Sequence, residues 1–367
     1  MKRKHLFALI MIVTLGFGVT SCFQDLDLEP PYGLNSSSVY EDPDNYINVL
    51  AKIYGGFAMS GNEGPAGNPD ISGIDEGFSQ YIRVLWNLQV LPTDEAVCGW
   101  NDPGIPELNY MTWVSTNTFA NAMYFRIYFQ ITMINEFMRE TAVEKLEDRG
   151  FEQADIDRIQ QYRSEARFLR ALSYYHALDL FGSVPFVTEE DPVGAFFPEQ
   201  ISRSDLFTYV EQELLDVESA LIDPIPGFDP EFYARANKAA VWTLLAKLYL
   251  NAEVYTGTAR YADAAQWARK VIDEGGYSLD DDYTDLFQAD NQTSTEIIFP
   301  ITHDGLRTQT YGGTTFLTHA PVGGSMNADD FGVNVGWAGY RTTRNLFELF
   351  TDTANDSRAM FYTDGQT

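Results

Sequence analysis

The sequence predicts a mainly α-helical fold: a scaffold of degenerate tetratricopeptide-type helical hairpins, with long loop-rich excursions and minor β structure. Apolar residues recur every three or four positions over several long segments, which places them on one face of a helix. Small residues occur where paired helices must approach closely, as stacked helical hairpins require. Two segments, 57–116 and 280–345, are instead rich in Gly, Pro, Asn and Asp. Because the repeat period is irregular, an unrelated helical bundle remains an alternative.

The apolar stripes and their terminators predict five helices. The expected spans are 119–147, 153–181, 204–223, 235–254 and 264–272. Gly182 ends the second helix and Gly275-Gly276 ends the fifth, because glycine readily adopts the backbone conformation that closes a helix. The run 297–301 is the segment that most resembles a β-strand.

The first 21 residues have the layout of a secretory signal peptide, with a cationic start and an apolar run over 6–19. That run is too short and too rich in glycine to span a bilayer, which needs about 20 residues. The small residues 19–21 precede Cys22 and resemble a bacterial lipobox, in which the cysteine thiol is acylated. An ordinary signal peptide with a chance cysteine is the alternative. The chain has only 2 cysteines, too few for a disulfide framework, which favours lipidation at Cys22.

The charge balance argues against nucleic acid as a partner. Lys and Arg total 24 against 53 Asp and Glu, a formal net charge of −29, and no basic patch compensates for it. Aromatic residues make up 14% of the chain, so the question is where these rings are placed.

Catalytic and cofactor motifs are missing from the sequence. The 4 histidines show no close metal-binding spacing, and there is no nucleophile elbow, phosphate-binding loop or dinucleotide fingerprint. The run 280–282 with Asp285 is a candidate structural calcium site, but it lacks EF-hand spacing and reads mainly as a solvated acidic turn. We therefore predict no catalytic residue and no cofactor, with that calcium as the exception. A pair of carboxylates for glycoside hydrolysis has no sequence signature, so a surface glycoside hydrolase remains an alternative.

Three large aromatic residues, Trp100, Tyr311 and Trp337, lie in loops framed by glycine. An indole or phenol face covers the apolar C–H face of a sugar ring, while Asp, Asn and Arg hydrogen-bond its hydroxyl groups. The alternative for each ring is that it packs its own loop onto the core. Three further tryptophans in periodic or strand-like settings are predicted to be core: Trp113, Trp242 and Trp267.

The segment 164–185, which reads SEARFLRALSYYHALDLFGSVP, resembles the hallmark segment of the SusD/RagB family. The resemblance continues through 236–252 and 264–277 and includes the lipobox. It implies a SusD-like lipoprotein, anchored in the outer membrane and facing the cell exterior. Such a protein binds glycans, or peptides in some branches, and acts as a lid on a SusC-like TonB-dependent transporter. Family members usually continue beyond the position of Thr367, which implies that this chain is truncated at its C-terminal end.

Within the family, further motifs resemble the starch-binding branch. Their order matches at 75–77, 91–95, 311–313 and 336–337. This resemblance implies six glycan-contacting residues, which are Asp75, Arg83, Trp100, Asn101, Tyr311 and Trp337. Asn101 is the weaker match because its loop is shorter than in the family. An ion pair between Asp75 and Arg83 is the alternative for those two side chains.

These expectations divide the chain into a signal peptide (1–21), a helical scaffold with the excursion 57–116 (22–276) and a loop-rich ligand-binding region (277–367). The expected function is capture of oligosaccharides, of the starch or maltooligosaccharide type, for a SusC-like transporter and without a catalytic step. Besides the hydrolase, two alternatives remain open. One is a peptide-binding RagB-like protein, and the other is a scaffold whose repeats only dock other proteins.

Overall fold

A computed structural model describes residues 36–363, so the predicted signal peptide and Cys22 lie outside the described residues. The chain divides into two compact units, 1–46 and 47–367. In the described part of the first unit, a short helix α1 (Ser36–Val39) precedes a 3-10 turn that Asp42 caps. The rings of Tyr40 and Tyr46 meet edge to face there, with centroids 5.1 Å apart.

Helices dominate the described residues from Tyr46 onward. The long helices are α2 (Tyr46–Ala58), α3 (Tyr81–Val90), α5 (Thr118–Glu140), α7 (Gln153–Phe181), α8 (Arg203–Glu218), α9 (Lys238–Leu250) and α11 (Tyr261–Glu274). The short helices are α4 (Ile105–Asn109), α6 (Val143–Asp148), α10 (Ala252–Thr256), α12 (Gly313–His319) and α13 (Arg344–Leu349). The strands are β1 (Ala96–Cys98), β2 (Val184–Pro185), β3 (Gln200–Ile201) and β4 (Tyr340–Thr342).

The helical scaffold is a series of packed neighbours: α5 on α7, α7 on α8, and α9 on α11. Small buried residues such as Ala239 and Ala240 begin α9, where the chain passes close to neighbouring helices. Trp242 is buried on the same helix, and its indole nitrogen donates to Glu218 at the end of α8. The prediction of a mainly helical scaffold with minor β structure is confirmed.

Several helix ends follow from local sequence. The α7 helix has the predicted bounds, because Gly182 follows it with a φ of 76°, which glycine adopts without strain. The α8 helix is capped by Ser202, whose side chain accepts from the backbone N–H of Asp205. The Asn237 side chain caps α9 in the same way by accepting from Ala240.

Six local predictions are wrong. The predicted helix 235–254 is divided at Asn251 into α9 and α10, and Trp267, predicted as core, is only half-buried. The predicted helix 119–147 is two helices, since α5 ends at Glu140 and α6 begins after Ala142, which has an extended backbone. The helix predicted to reach 223 ends at Glu218. The run 297–301 forms no strand, and Trp113 is 46% exposed instead of buried. Local apolar character does not reveal whether a neighbouring strand or a covering element is present.

Two antiparallel ladders complete the described structure. The β2–β3 ladder pairs Val184 with Ile201, directly after α7. The β1–β4 ladder pairs Cys98 with Tyr340, so it joins the excursion 57–116 to a distant part of the chain. None of the helices within 36–363 combines the length and the apolar character that crossing a membrane requires.

Candidate functional site

The β1–β4 ladder brings Trp100 and Trp337 together. Just beyond the paired strands, the backbone N–H of Gly99 donates to the carbonyl of Gly339 over 2.9 Å. The Trp100 indole nitrogen then donates to the carbonyl oxygen of Trp337 over 3.0 Å, and the two ring centroids lie 6.4 Å apart. Both side chains are half-buried, so each is held by the protein and still reaches the surface.

Tyr311 joins this pair from a third loop. Its ring meets that of Trp337 edge to face, with centroids 5.9 Å apart, and the residue is 41% exposed. The His319 ring lies against Trp337 with centroids 5.1 Å apart. We call Trp100, Tyr311 and Trp337 the aromatic cluster. The three predicted rings share one surface instead of packing into separate interiors, while their contact with a glycan stays a prediction.

Arg83, on the first turn of α3, contacts the aromatic cluster through its guanidinium group. Its Nη1 donates to the carbonyl oxygens of Gly77 and Tyr311 over 3.0 and 2.8 Å. The guanidinium carbon lies 5.9 Å from the ring centroids of both Trp100 and Trp337. Burial lowers the pKa of Arg83, and the nearby Tyr340 and acidic groups act in the opposite direction, but an arginine stays charged. Arg83 therefore positions the rings through backbone and cation–π contacts.

Asp75 lies at the edge of the aromatic cluster. Its Oδ1 accepts from the backbone N–H of Phe78 over 3.2 Å, which closes a turn. A methyl group on Gly77 would lie 3.1 Å from Asp75 Oδ1 and 3.6 Å from Tyr311 Cδ2, so these two side chains flank Gly77. Within the described residues Asp75 forms no ion pair with Arg83, and the alternative pairing is therefore wrong.

Asn101 follows Trp100 and is exposed. Its side chain makes no hydrogen bond with the described part of the protein, so its amide is available at the surface next to the Trp100 loop. The structure thus places all six predicted residues around one group of three loops and the start of α3. Their role in binding is untested and stays a prediction.

Sequence reasoning missed Gln80, which locks the Tyr311 loop to α3. The side chain is fully buried, and its Oε1 accepts from the backbone N–H groups of Arg83 (2.8 Å) and Gly313 (3.0 Å). Its Nε2 donates to the carbonyl of Phe57 over 2.6 Å. Glutamine is not among the residues that usually cap a helix, so the sequence indicates neither this cap nor the link to Gly313.

Arg126 on α5 was also missed, and it fixes the loop that carries Asp75. Only 1% of the residue is exposed, and its Nη1 pairs with Asp70 over 2.6 Å. Its other nitrogens donate to the carbonyls of Ser60 and Ser79 and to the Ser79 hydroxyl. Burial lowers the pKa of Arg126, and Asp70 opposes that effect. The arginine therefore holds both ends of the segment 60–79 against the scaffold.

Behind the aromatic cluster lies a second layer of rings. Tyr340 meets Trp100 edge to face at 5.2 Å, and it meets Trp86 and Phe316 at 5.1 Å each. Burial raises the pKa of Tyr340, and the nearby Cys98 adds to this effect, so the hydroxyl stays protonated. This layer makes the surface rings part of a packed, rigid unit.

In the predicted calcium segment, acidic side chains accept hydrogen bonds from nearby residues. Asp282 Oδ1 accepts from the backbone N–H and the hydroxyl of Thr284, and Asp280 accepts from Ser294. Within 36–363, no group of three or more His, Cys, Asp or Glu side chains is placed to hold a metal ion. Calcium at this segment stays a prediction.

Known proteins with similar sequences identify the family of this chain. The chain is 38% identical over 319 residues to the starch-binding protein SusD of Bacteroides thetaiotaomicron. The aligned region is 86% of this chain and 54% of that protein, so the chain spans about half the length of this relative. A SusD-like family model, described as starch-binding and associating with the outer membrane, matches residues 101–250. The chain belongs to the SusD-like family.

Solved structures show the same SusD-like fold. A SusD superfamily protein from B. thetaiotaomicron superposes with a TM-score of 0.65 at 17% identity, covering 89% of this chain and 65% of the other. Surface glycan-binding protein A from the same species, in complex with laminarihexaose, gives 0.63 at 19% identity, with 86% and 63% coverage. By sequence alone, the chain is also 27% identical over 150 residues to the SusD-like protein P25 of Formosa agariphila. The aligned region covers 41% of this chain and 26% of that protein.

Proposed function

We propose that this SusD-like protein captures glycans at the cell surface and delivers them to a SusC-like TonB-dependent transporter. The observation that carries the proposal is the aromatic cluster, in which Trp100 and Trp337 are hydrogen-bonded together and Tyr311 joins them. Rigid, partly exposed rings can cover the apolar faces of successive sugar units. No ordering cost is then paid for the rings themselves, which favours binding.

We propose an α-glucan of the starch or maltooligosaccharide type as the ligand. The 38% identical relative is a starch-binding protein, and the matching family model is described as starch-binding. The exposed side chains of Asp75 and Asn101 at the rim of the aromatic cluster would accept and donate hydrogen bonds to sugar hydroxyls. A β-glucan is the second candidate, because laminarihexaose is bound by one structural neighbour.

The proposed location is the outer membrane, with the protein facing the exterior and held by a lipid on Cys22. The family model describes association with the outer membrane, and the lipobox at the predicted signal peptide would supply the anchor. A single open site binds weakly, so a tether that keeps the protein beside its transporter would raise the effective concentration of ligand.

We propose binding without catalysis and without a cofactor. Asp75 accepts a hydrogen bond from the backbone N–H of Phe78 and so closes a turn, which is a structural role. A retaining glycosidase would need two carboxyl groups about 5 Å apart at this position. The neutral rings also favour a glycan over a peptide, which would be matched by charged groups.

Affinity electrophoresis in native gels containing starch or laminarin tests the proposal. Trp337→Ala should abolish retardation in the gel that slows the wild type, while circular dichroism stays unchanged. Trp267→Ala is the matched control, because Trp267 is a half-buried tryptophan on the scaffold helix α11. Unchanged retardation of Trp337→Ala would reject the site. New reducing ends after incubation with amylose would reject the non-catalytic proposal.

A further inference from the structure

A groove on the other side of α3 has the properties of a second binding surface. It has a volume of about 560 Å³, within the usual range of ligand pockets, and its wall includes Leu88, Pro92, Leu108, Trp113, Tyr124 and Phe181. We call this feature the Trp113 groove. None of its residues belongs to the aromatic cluster or to the layer of rings behind it.

The sequence around the groove is uncharged in an otherwise strongly acidic protein. Residues 108–125 contain no Asp, Glu, Lys or Arg, although the whole chain is 21% charged and has a net charge of −29. The segment combines rings with hydroxyl and amide side chains, such as Ser115 and Asn121. A charged ligand would find no ion-pair partner in this segment, whereas a neutral polyhydroxylated ligand requires none.

Trp113 is presented by a defined turn. Met111 has a φ of 53°, a left-handed conformation that is unusual for a residue with a side chain. The backbone N–H of Thr112 donates to the carbonyl of Glu107 over 2.9 Å, which closes the turn after α4. The following indole is 46% exposed, so a ring that the sequence predicts as core reaches solvent.

The opposite wall is built on α5. Asn117 caps this helix by accepting from the N–H groups of Phe119 and Ala120. Positions 121 and 124 then fall on one helical face, which brings Asn121 and Tyr124 to the groove. The Tyr124 ring is held edge to face against Phe181, with centroids 5.9 Å apart.

Polar atoms at the groove have unused hydrogen-bonding capacity. Within residues 36–363, the Trp113 indole nitrogen, the Ser115 hydroxyl and the Asn121 amide make no side-chain hydrogen bond to protein. Rings that stack on C–H faces, together with free donors and acceptors beside them, are what a sugar ring requires.

We propose that the Trp113 groove is a second site for neutral glycan, distinct from the aromatic cluster. This inference rests on the proposed function, because it takes the ligand class from it. Arg83 of the first site and Leu88 of the groove lie on the same helix, about 7.5 Å apart along its axis. A polysaccharide that engages both surfaces gains avidity, which a short oligosaccharide bound at one site does not.

Fluorine NMR of the protein labelled with 5-fluorotryptophan tests the inference directly. The chain has 6 tryptophans, and each resonance is assigned with the corresponding Trp→Phe variant. Maltohexaose and laminarihexaose are titrated separately. We expect the Trp113 resonance to shift in the wild type and in Trp337→Ala, while the resonances of the scaffold residues Trp242 and Trp267 stay in place.

The possible failures are distinguishable. If Trp100 and Trp337 respond but Trp113 does not, or if Trp113 responds only in the wild type, the second site is wrong and the proposed function stands. A Trp113 groove that no glycan perturbs would instead suit a protein partner. If no tryptophan responds to either glycan, the proposed function fails and the inference falls with it.

A variant provides an independent measurement. Trp113→Ala should weaken retardation in polysaccharide gels by about three- to tenfold and leave the maltohexaose affinity of the aromatic cluster unchanged. Leu250→Ala, an exposed apolar residue at the end of α9, is the control for general loss of apolar surface. Equal retardation of Trp113→Ala and wild type would overturn the inference.

Discussion

The indole nitrogen of Trp100 donates a hydrogen bond to the backbone carbonyl of Trp337, although the two residues are 237 positions apart. The contact unites two loops that the β1–β4 ladder has already brought side by side. The bond gives each ring a fixed position relative to the other, and it satisfies a half-buried donor and acceptor that would otherwise be costly to leave unpaired. The spacing of the proposed glycan platform is therefore a property of the tertiary fold.

Gly339→Ala should displace the Trp100 ring and weaken glycan binding. A methyl group at this position would overlap the indole, and such overpacking costs about 1–3 kcal/mol of stability. Urea denaturation and gel retardation measure the two effects. Gly99→Ala is the matched control, because the nearest atom to its added methyl would be the Gly339 carbonyl oxygen at 3.7 Å. Equal behaviour of the two variants would show that the close approach is unimportant.

Arg83→Met should reduce glycan affinity by at least about tenfold. The variant loses the hydrogen bonds that hold the carbonyls of Gly77 and Tyr311, and each charge-assisted bond contributes about 1.5–3 kcal/mol. Arg83→Lys keeps the charge but not the planar fork, so we expect a smaller loss. Arg344→Met is the control, since Arg344 has an 86% exposed side chain. Calorimetric titration with maltooligosaccharide measures the affinity of each variant. Wild-type affinity in Arg83→Met would contradict the positioning role.

Arg126→Met should destabilise the protein by about 3 kcal/mol or more. It leaves Asp70 as a buried, unpaired carboxylate and frees the carbonyls of Ser60 and Ser79. Since the segment 60–79 carries Asp75, hydrogen exchange should accelerate there more than in α7. The exposed Arg358→Met serves as the comparison, with an expected change below about 0.5 kcal/mol. Uniform exchange across the protein would argue against a local anchoring role.

His176 should make stability fall below pH 6.5. Burial, with a smaller contribution from Lys247, lowers the pKa of this histidine from 6.5 to about 3, and the ring is hydrogen-bonded to the Tyr81 hydroxyl at 2.8 Å. The folded state therefore holds the neutral form. Above pH 6.5, the pKa in the unfolded state, this histidine does not reduce stability. As the pH falls from 6.5 towards 3, only the unfolded state takes up the proton, so the free energy of unfolding decreases by about 1.4 kcal/mol per pH unit.

The corresponding measurement compares His176→Gln with wild type in urea at pH 7, 6, 5 and 4. The stability advantage of the wild type should shrink at each step below pH 6, because the glutamine cannot be protonated. Tyr81→Phe removes the hydrogen-bond partner but keeps the imidazole, so its difference from wild type should be nearly constant. A pH-independent difference for His176→Gln would contradict the prediction.

Parts of the fold could be predicted because their causes are local. The bounds of α7 follow from the period of its apolar residues and from Gly182, which ends the helix through its own backbone conformation. The break after α5 was missed because Thr141 and Ala142 carry no strong breaker signal. The exposure of Trp113 was missed because burial depends on which elements cover a ring, and sequence spacing does not report that.

For the site, sequence by itself determined the candidate side chains and the family from which they were inferred. It also determined the helical scaffold, since helices depend on hydrogen bonds and apolar faces within a few residues. Only the tertiary structure decided that Trp100, Trp337 and Tyr311 adjoin one another. It also decided that Arg83 binds backbone carbonyl oxygens and does not pair with Asp75. The links through Gln80 and Arg126 likewise join segments far apart along the chain, and such pairings leave no periodic or local signal.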